Sequence, residues 1–303
     1  MIDVCLLGTA GMMPLPDRWL TSMLLRYNGT SILVDCGEGT QIALREAGFS
    51  PNPVSYILFT HYHADHISGL PGFLLSMGNS DRTEPLTIIG PPGLKKVVNS
   101  LRVIAPELPF EIIFHEISDD VDDIDIEGLK CHAFKVDHKI ICYGYSFTLE
   151  RAGRFDAEKA KTLGVPLKGW NVLQKGGVVE FEGKTFTPDM VMGPKRKGLK
   201  VTYCTDTRPT KSLVDAAKDS DLLITEGMYA EQDKLPDAKK KKHMTFYEAA
   251  EIAKQAQVGQ MWLTHFSPSL TGAKRYMKSV RDIFPESYLG EDGKFLELDF
   301  LEE

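Results

Sequence analysis

Six residues, His61-Tyr62-His63-Ala64-Asp65-His66, hold three imidazoles and a carboxylate in a chain with only eight histidines. Imidazole and carboxylate donors together suit zinc, and also manganese or iron. In a tight turn after a strand, His61 and His63 can face one ion while Asp65 and His66 face a second. Two ions need more donors than these four. His138, Asp206 and His265 each lie in or at the end of an apolar run, where a lone charge or imidazole is costly without a partner. His138 taken alone reads more simply as a hydrogen-bonded packing residue. His115 and His132 have no motif around them and read as ordinary surface or packing residues. Ions held by such a set activate water and polarise substrate oxygens, so the chemistry indicated is hydrolysis.

Elements must bring these residues together. Ser31–Cys36 and Ser55–Thr60 read as short strands followed by turn residues, and Met1–Gly8 as a first strand. Gln41–Ala47 reads as a helix ending at Gly48. Leu86–Gly90 is a strand, Leu94–Ile104 a helix, and Ile112–Phe147 mostly strand with turns at Asp119-Asp120 and Glu127-Gly128. Lys200–Asp206, Asp221–Glu226 and Gln260–His265 are strands ending in polar residues, with a helix over Thr245–Gln257. Open α/β sheets place ligands at the carboxyl ends of their strands. Four such ends carry His61, Asp206, Glu226 and His265.

Bulk properties narrow the class. With 303 residues, 43% apolar and 25% charged, the chain has the composition of a globular protein able to bury a core unaided. It has no apolar run near 18 residues and no basic leader, so no membrane segment is expected and the cytoplasm is the expected compartment. Five widely spaced cysteines read as buried small hydrophobes rather than disulfides. The net charge is −7, but residues 151–200 carry 11 Lys/Arg against 5 Asp/Glu. That stretch is also dense in Gly and Pro, which predicts loops or an excursion from the core. A second basic run, Lys239–Lys242, precedes His243 and reads either as a solvated face or as a phosphate contact.

The His-x-His-x-Asp-His turn is the hallmark of the metallo-β-lactamase superfamily. Gly8-Thr9-Ala10, Asp35-Cys36-Gly37-Glu38-Gly39-Thr40-Gln41, Phe59 through Gly72, Val136-Asp137-His138, Thr205-Asp206-Thr207-Arg208-Pro209, His243-Met244-Thr245 and Leu263 through Pro268 resemble, in order, the ribonuclease Z family. The resemblance implies an α/β fold, the four-layer αβ/βα sandwich, over residues 1–303, with an inserted basic, Gly/Pro-rich substrate-binding arm at about 151–198. It implies two zinc ions: His61, His63 and His138 on one, Asp65, His66 and His265 on the other, and Asp206 bridging. It further implies Asp65 as proton acceptor, His243 as acid and Glu226 as its support. The activity implied is removal of the 3′ trailer from precursor tRNA, leaving a 3′-hydroxyl, by a homodimer. The alternative is a hydrolase of the same fold acting on a small phosphodiester, cyclic nucleotide or sulfate ester. The chain departs from the family at Thr225-Glu226-Gly227-Met228, where His-Glu-Ala-Thr is usual. It departs again at Ser269-Leu270, where Arg-Tyr is usual, in the early loop Pro14–Trp19, and at the arm tip Val165–Trp170.

Overall fold

The β-rich runs of the sequence become strands lying side by side. In the computed structural model, which describes residues 1–300, they begin with β1 (Ile2–Gly8), β2 (Ser22–Tyr27), β3 (Thr30–Val34), β4 (Val54–Leu58), β5 (Leu86–Gly90) and β6 (Ile112–Glu116). β7 (Val121–Ile126), β8 (Leu129–Lys135) and β9 (Tyr143–Arg151) follow. The remainder are β10 (Val179–Phe181), β11 (Lys184–Phe186), β12 (Arg196–Cys204), β13 (Leu222–Glu226), β14 (Gln260–Thr264), β15 (Ser287–Leu289) and β16 (Phe295–Leu298).

Among the described residues these form two seven-stranded sheets, in the orders β16-β1-β2-β3-β4-β5-β6 and β15-β14-β13-β12-β9-β8-β7. β3 to β6 are mutually parallel, as are β12 to β15. Every residue of β13 is buried, as a strand covered on both faces must be, and its sequence is correspondingly apolar over Leu222, Leu223 and Ile224.

Helices cover the outer faces. Helices Thr40–Glu46, Leu70–Gly78 and Leu94–Leu101 bury Leu44, Phe73, Leu74, Leu94 and Val98 against Leu33, Ile57 and Ile88. Helices Lys211–Ala217, Phe246–Gln255 and Met277–Ile283 bury Leu213, Ala249, Ala253 and Val280 against Cys204, Leu223 and Leu263. Each fully buried Leu or Phe contributes about 1.5–3 kcal/mol. The arrangement is the four-layer αβ/βα sandwich. Its consequence for chemistry is that the parallel portions of both sheets deliver strand carboxyl ends to one cleft.

Residues 149–198 form a second compact unit. The density of Gly and Pro predicts loops or an excursion from the core there, and the separate unit is more than loop. It holds helices Ala157–Leu163 and Leu167–Gln174 and the hairpin β10–β11. Ala160, Val165, Leu173, Phe186 and Val191 make an apolar cluster of its own. The glycines punctuate rather than loosen. Gly164 closes the first helix at φ +79°, and Glu182-Gly183, both at positive φ, make the two-residue turn that a tight hairpin requires.

The five cysteines are buried and free. His115 and His132 pair with Asp122 and Asp123 at 2.6 and 2.7 Å, partly exposed. Among the described residues no helix is long and apolar enough to cross a membrane.

Candidate metal centre

Strand ends set the site. β4 ends at Leu58, and the chain turns through Thr60 to His61, His63 and the short helix Ala64–Ile67, which carries Asp65 and His66. Asp206 lies just past β12, Glu226 ends β13, and His265 follows β14. His138 lies in the loop between β8 and β9. Asp35, Asp206 and His265 have φ of +59°, +47° and +55°. Left-handed backbone is rare for residues other than glycine, though Asp and His tolerate it best, and it concentrates where function holds it in place.

Donor atoms of His61, His63, His138 and Asp206 lie within 4.8 Å of one another, as do those of Asp65, His66 and His265. His61 Nε2 is 2.9 Å from His63 Nδ1, His138 Nε2 is 3.3 Å from the same atom, and His66 Nε2 is 3.2 Å from His265 Nε2. A tetrahedral ion with metal–nitrogen bonds of about 2.0–2.1 Å separates its ligands by about 3.3–3.4 Å. Asp206 Oδ1 lies 3.1 Å from both His66 Nε2 and His265 Nε2 yet meets no hydrogen-bond geometry.

The surrounding contacts fix which nitrogens carry lone pairs. The Thr60 hydroxyl gives its proton to Asp35, 2.9–3.0 Å away, so His61 Nδ1 donates to that hydroxyl at 3.0 Å and Nε2 keeps its lone pair. His138 Nδ1 donates to the Lys242 carbonyl at 3.1 Å, with the same result. Asp35 also accepts the Thr60 amide (2.9 Å) and faces His66 Nδ1 (2.8 Å), leaving His66 Nε2 directed at the cluster. Such outer contacts orient metal-binding imidazoles.

Burial, reinforced by the charge on His66, holds His61 well below its ordinary pKa, and burial lowers His63 and His138 as well. These imidazoles are therefore neutral, the form that ligates metal. Burial alone would raise Asp65 and Asp206, but the surrounding histidines overcome it and keep both ionised. His66 differs: burial lowers it, but Asp206 and Asp35 outweigh this and hold it well above its ordinary pKa, so a bound ion would displace its Nε2 proton. The donor set and its spacing fit a divalent cation.

His243 stands beside this cluster. It lies between helices Leu235–Lys241 and Phe246–Gln255, with Nδ1 3.2–3.3 Å from the Glu226 carboxylate and 3.8 Å from Asp206. Burial lowers its pKa, but Glu226 outweighs this and lifts it to about 9. Glu226 is fully buried and also accepts the amides of Thr207 (2.6 Å) and Met244 (3.0 Å). Where the family usually has histidine, the buried Thr225 hydroxyl has no hydrogen-bond partner.

The structure thus brings all nine residues singled out in the sequence into one cleft. Asp35 is the functional residue that sequence reasoning missed, although an acid directly after an apolar strand is the same signal that marks Asp206 and Glu226. Of the lysine run, Lys242 is held by both oxygens of Asp137 at 2.9 Å.

A family model described as the metallo-beta-lactamase superfamily matches residues 21–222. A ribonuclease Z of Agathobacter rectalis is 61% identical over all of both chains, and one of Lachnospira eligens 59% identical over the same extent. The chain belongs to the ribonuclease Z family. It is accordingly a hydrolase of the metallo-β-lactamase superfamily. The crystal structure of the short form of human tRNase Z superposes with a TM-score of 0.70 at 25% identity, covering 98% of this chain and all of that one. The metallo-β-lactamase fold and the His/Asp cluster together support a divalent cation.

Proposed function

We propose that this chain is an endonuclease that removes the 3′ trailer from precursor tRNA with two bound zinc ions. His61, His63 and His138 would hold one ion, Asp65, His66 and His265 the other, and Asp206 would serve both. The observation that carries the reading is the His243–Glu226 pair beside the cluster. A ribose 3′-oxygen is a poor leaving group and needs a proton, which a hydrolase of activated esters does not. The name ribonuclease Z borne by its relatives agrees.

When bound, the ions lower the pKa of water and neutralise charge on the phosphate oxygens. The protein supplies the rest. Asp65 is ionised, and its Oδ2 is held by the Met12 amide at 2.6 Å, so the other oxygen is available to take a proton from the attacking water. Water oxygen bonds to phosphorus as the bond from phosphorus to the 3′-oxygen breaks. His243, protonated and aimed by Glu226 at Nδ1, gives a proton from Nε2 to that leaving oxygen. The products are a tRNA 3′-hydroxyl and a trailer 5′-phosphate.

The unit Leu149–Gly198 serves in this reading as the arm that grips tRNA through phosphate contacts. Its exposed Lys159, Lys168, Lys175 and Lys184 suit that task. A homodimer in the cytoplasm is part of the same reading. Ile42, Leu75, Val103 and Ile104 are 38–72% exposed and offer apolar surface of the kind dimer interfaces cover.

A second reading rests on Ser269, which replaces an arginine usual in the family and bonds only to Ser267: hydrolysis of a small phosphodiester. One experiment separates the two. The protein is stripped with a chelator, restored with zinc, and given a precursor tRNA and bis(p-nitrophenyl) phosphate. Zinc-dependent trimming of the tRNA, together with binding of two ions per chain, supports the first reading. Ester turnover with intact tRNA overturns it.

A further inference from the structure

The segment Asp206-Thr207-Arg208 reaches the proposed acid in three consecutive ways. Asp206 belongs to the metal cluster and lies 3.8 Å from His243 Nδ1. The Thr207 amide donates to Glu226 Oε1 at 2.6 Å, fixing the carboxylate that aims the His243 ring. The Arg208 side chain turns to the other side of the same residue. Its Nη1 donates to the His243 carbonyl and, at 3.1 Å, to Glu248 Oε2, while Nη2 donates to Glu248 Oε1. We propose that Arg208, braced by Glu248, is a positioning residue that locks the His243 backbone in register with the metal-bridging Asp206. The inference rests on the reading of His243 as the acid.

The geometry distinguishes this from ordinary helix capping. Glu248 already closes a capping box on helix Phe246–Gln255, accepting from the Thr245 amide at 3.0 Å and the Thr245 hydroxyl at 3.1 Å. That box is complete without an arginine. What the guanidinium adds is a bond to a carbonyl outside the helix, on the acid itself. The side chains of Arg208 and Glu248 are 13% and 21% exposed, so the pair is screened little and ordered by its two-pronged contact.

The preceding residue is held as well. The Lys242 carbonyl meets His138 Nδ1 at 3.1 Å, and Lys242 Nζ meets Asp137 at 2.9 Å. The Asp137 carbonyl accepts the Arg208 amide at 3.0 Å, and the Asp137 amide donates to Thr207 Oγ1 at 3.1 Å. Lys242 itself sits at φ +64°, a conformation that persists only when its surroundings hold it. Two consecutive carbonyls of the acid loop are thus pinned to the segments bearing His138 and Asp206. A shift in either metal-binding loop moves the acid with it. Displacing a reacting group by about 1 Å can cost about 10²-fold in rate.

The test uses leaving groups of different need. Release of p-nitrophenolate requires no proton, whereas release of a ribose 3′-oxygen does. Single-turnover rates are measured for wild type, H243A, R208M, R208K and E248Q on precursor tRNA and on bis(p-nitrophenyl) phosphate, with zinc content and thermal midpoint for each. H243A is expected to lower the tRNA-to-ester rate ratio most. R208M is expected to lower it about 10²-fold, through kcat rather than KM. R208K, which keeps the charge but not the fork, recovers part of the loss, and E248Q falls between. A parallel loss on both substrates, or an unchanged ratio in R208M and R208K while H243A remains selective, overturns the inference alone. A non-selective H243A overturns the acid assignment together with it.

Discussion

Replacing Glu226 by Gln separates charge from shape at the proposed acid. Glu226 is the principal influence raising His243 to about 9; burial alone pulls the other way. Without the carboxylate charge, His243 loses the largest influence that raises it and falls below about 9, with Asp206 and Asp65 still opposing burial. The sign follows from the role: a proton donor works only when protonated, so activity is retained below its pKa and lost as pH rises through it. At a pH between the two values the protonated fraction drops, and kcat falls with it. Three donors converge on Glu226: the Thr207 and Met244 amides and His243 Nδ1. The amide nitrogen of Gln cannot accept from them, so one N–H is left unpaired at a cost of about 1–3 kcal/mol. Thermal unfolding reads that loss independently of activity. The decisive assay is single-turnover cleavage of precursor tRNA from about pH 5.5 to about pH 9.5. The alkaline limb of E226Q should lie below that of wild type, with activity recovering toward acid. A uniform loss at every pH, with the limb in place, refutes the argument.

Two further outcomes are expected. A Cβ on Gly11 would lie 2.7 Å from His265 Cε1 and 2.9 Å from both ring nitrogens, while the Gly11 amide is tied to the Phe266 carbonyl at 3.0 Å; G11A therefore displaces the imidazole and weakens zinc binding about 10–100-fold, and a calorimetric titration showing wild-type affinity counters this. Neutralising Lys159, Lys168, Lys175 and Lys184 together should weaken tRNA binding and flatten the slope of log K against log salt by about 0.7–0.9 for each phosphate that the lysines no longer neutralise; an unchanged slope means the second compact unit does not hold the phosphates.

The site was more legible than the fold around it. Donor-rich spacing at His61–His66 and polar residues closing apolar strands are local signals, and both survive in a single sequence. Asp35 escaped a role because it acts through Thr60 and His66, and no spacing announces a partner 25 or 31 residues away. β16 pairs with β1 from the far end of the chain, a register set by tertiary packing. Helix Leu70–Gly78, which has no counterpart among the elements read from the sequence, opens with Pro71 and Gly72, and proline is well suited to a first helical turn. Helices of 7 and 8 residues in the second unit are too short for their periodicity to outweigh the glycines and prolines between them. The helix expected over Leu94–Ile104 tightens into a 3-10 turn at Arg102–Ile104, as helix ends commonly do.

The centre also bears on how the two sheets hold together. His61, His63, Asp65 and His66 hang from the first sheet, and His138, Asp206 and His265 from the second. Contacts outside the cluster turn lone pairs of His61 and His138 inward, both onto His63 Nδ1. One proton on that nitrogen cannot satisfy two acceptors fully, and Asp206 Oδ1 finds no hydrogen bond at all. Folding therefore assembles, at the seam between the sheets, a set of acceptors that a cation would satisfy together. An ion that binds this set and not the unfolded chain stabilises the fold by about 4 kcal/mol when its free concentration is about 1,000 times its Kd. That is a large share of the roughly 5–15 kcal/mol that holds a typical domain. In the proposed mechanism, the same donors that would prepare water for attack would also fasten one half of the sandwich to the other. The acid loop, reached from Asp206 through Thr207 and Arg208, is set on that fastening rather than on the helices it joins.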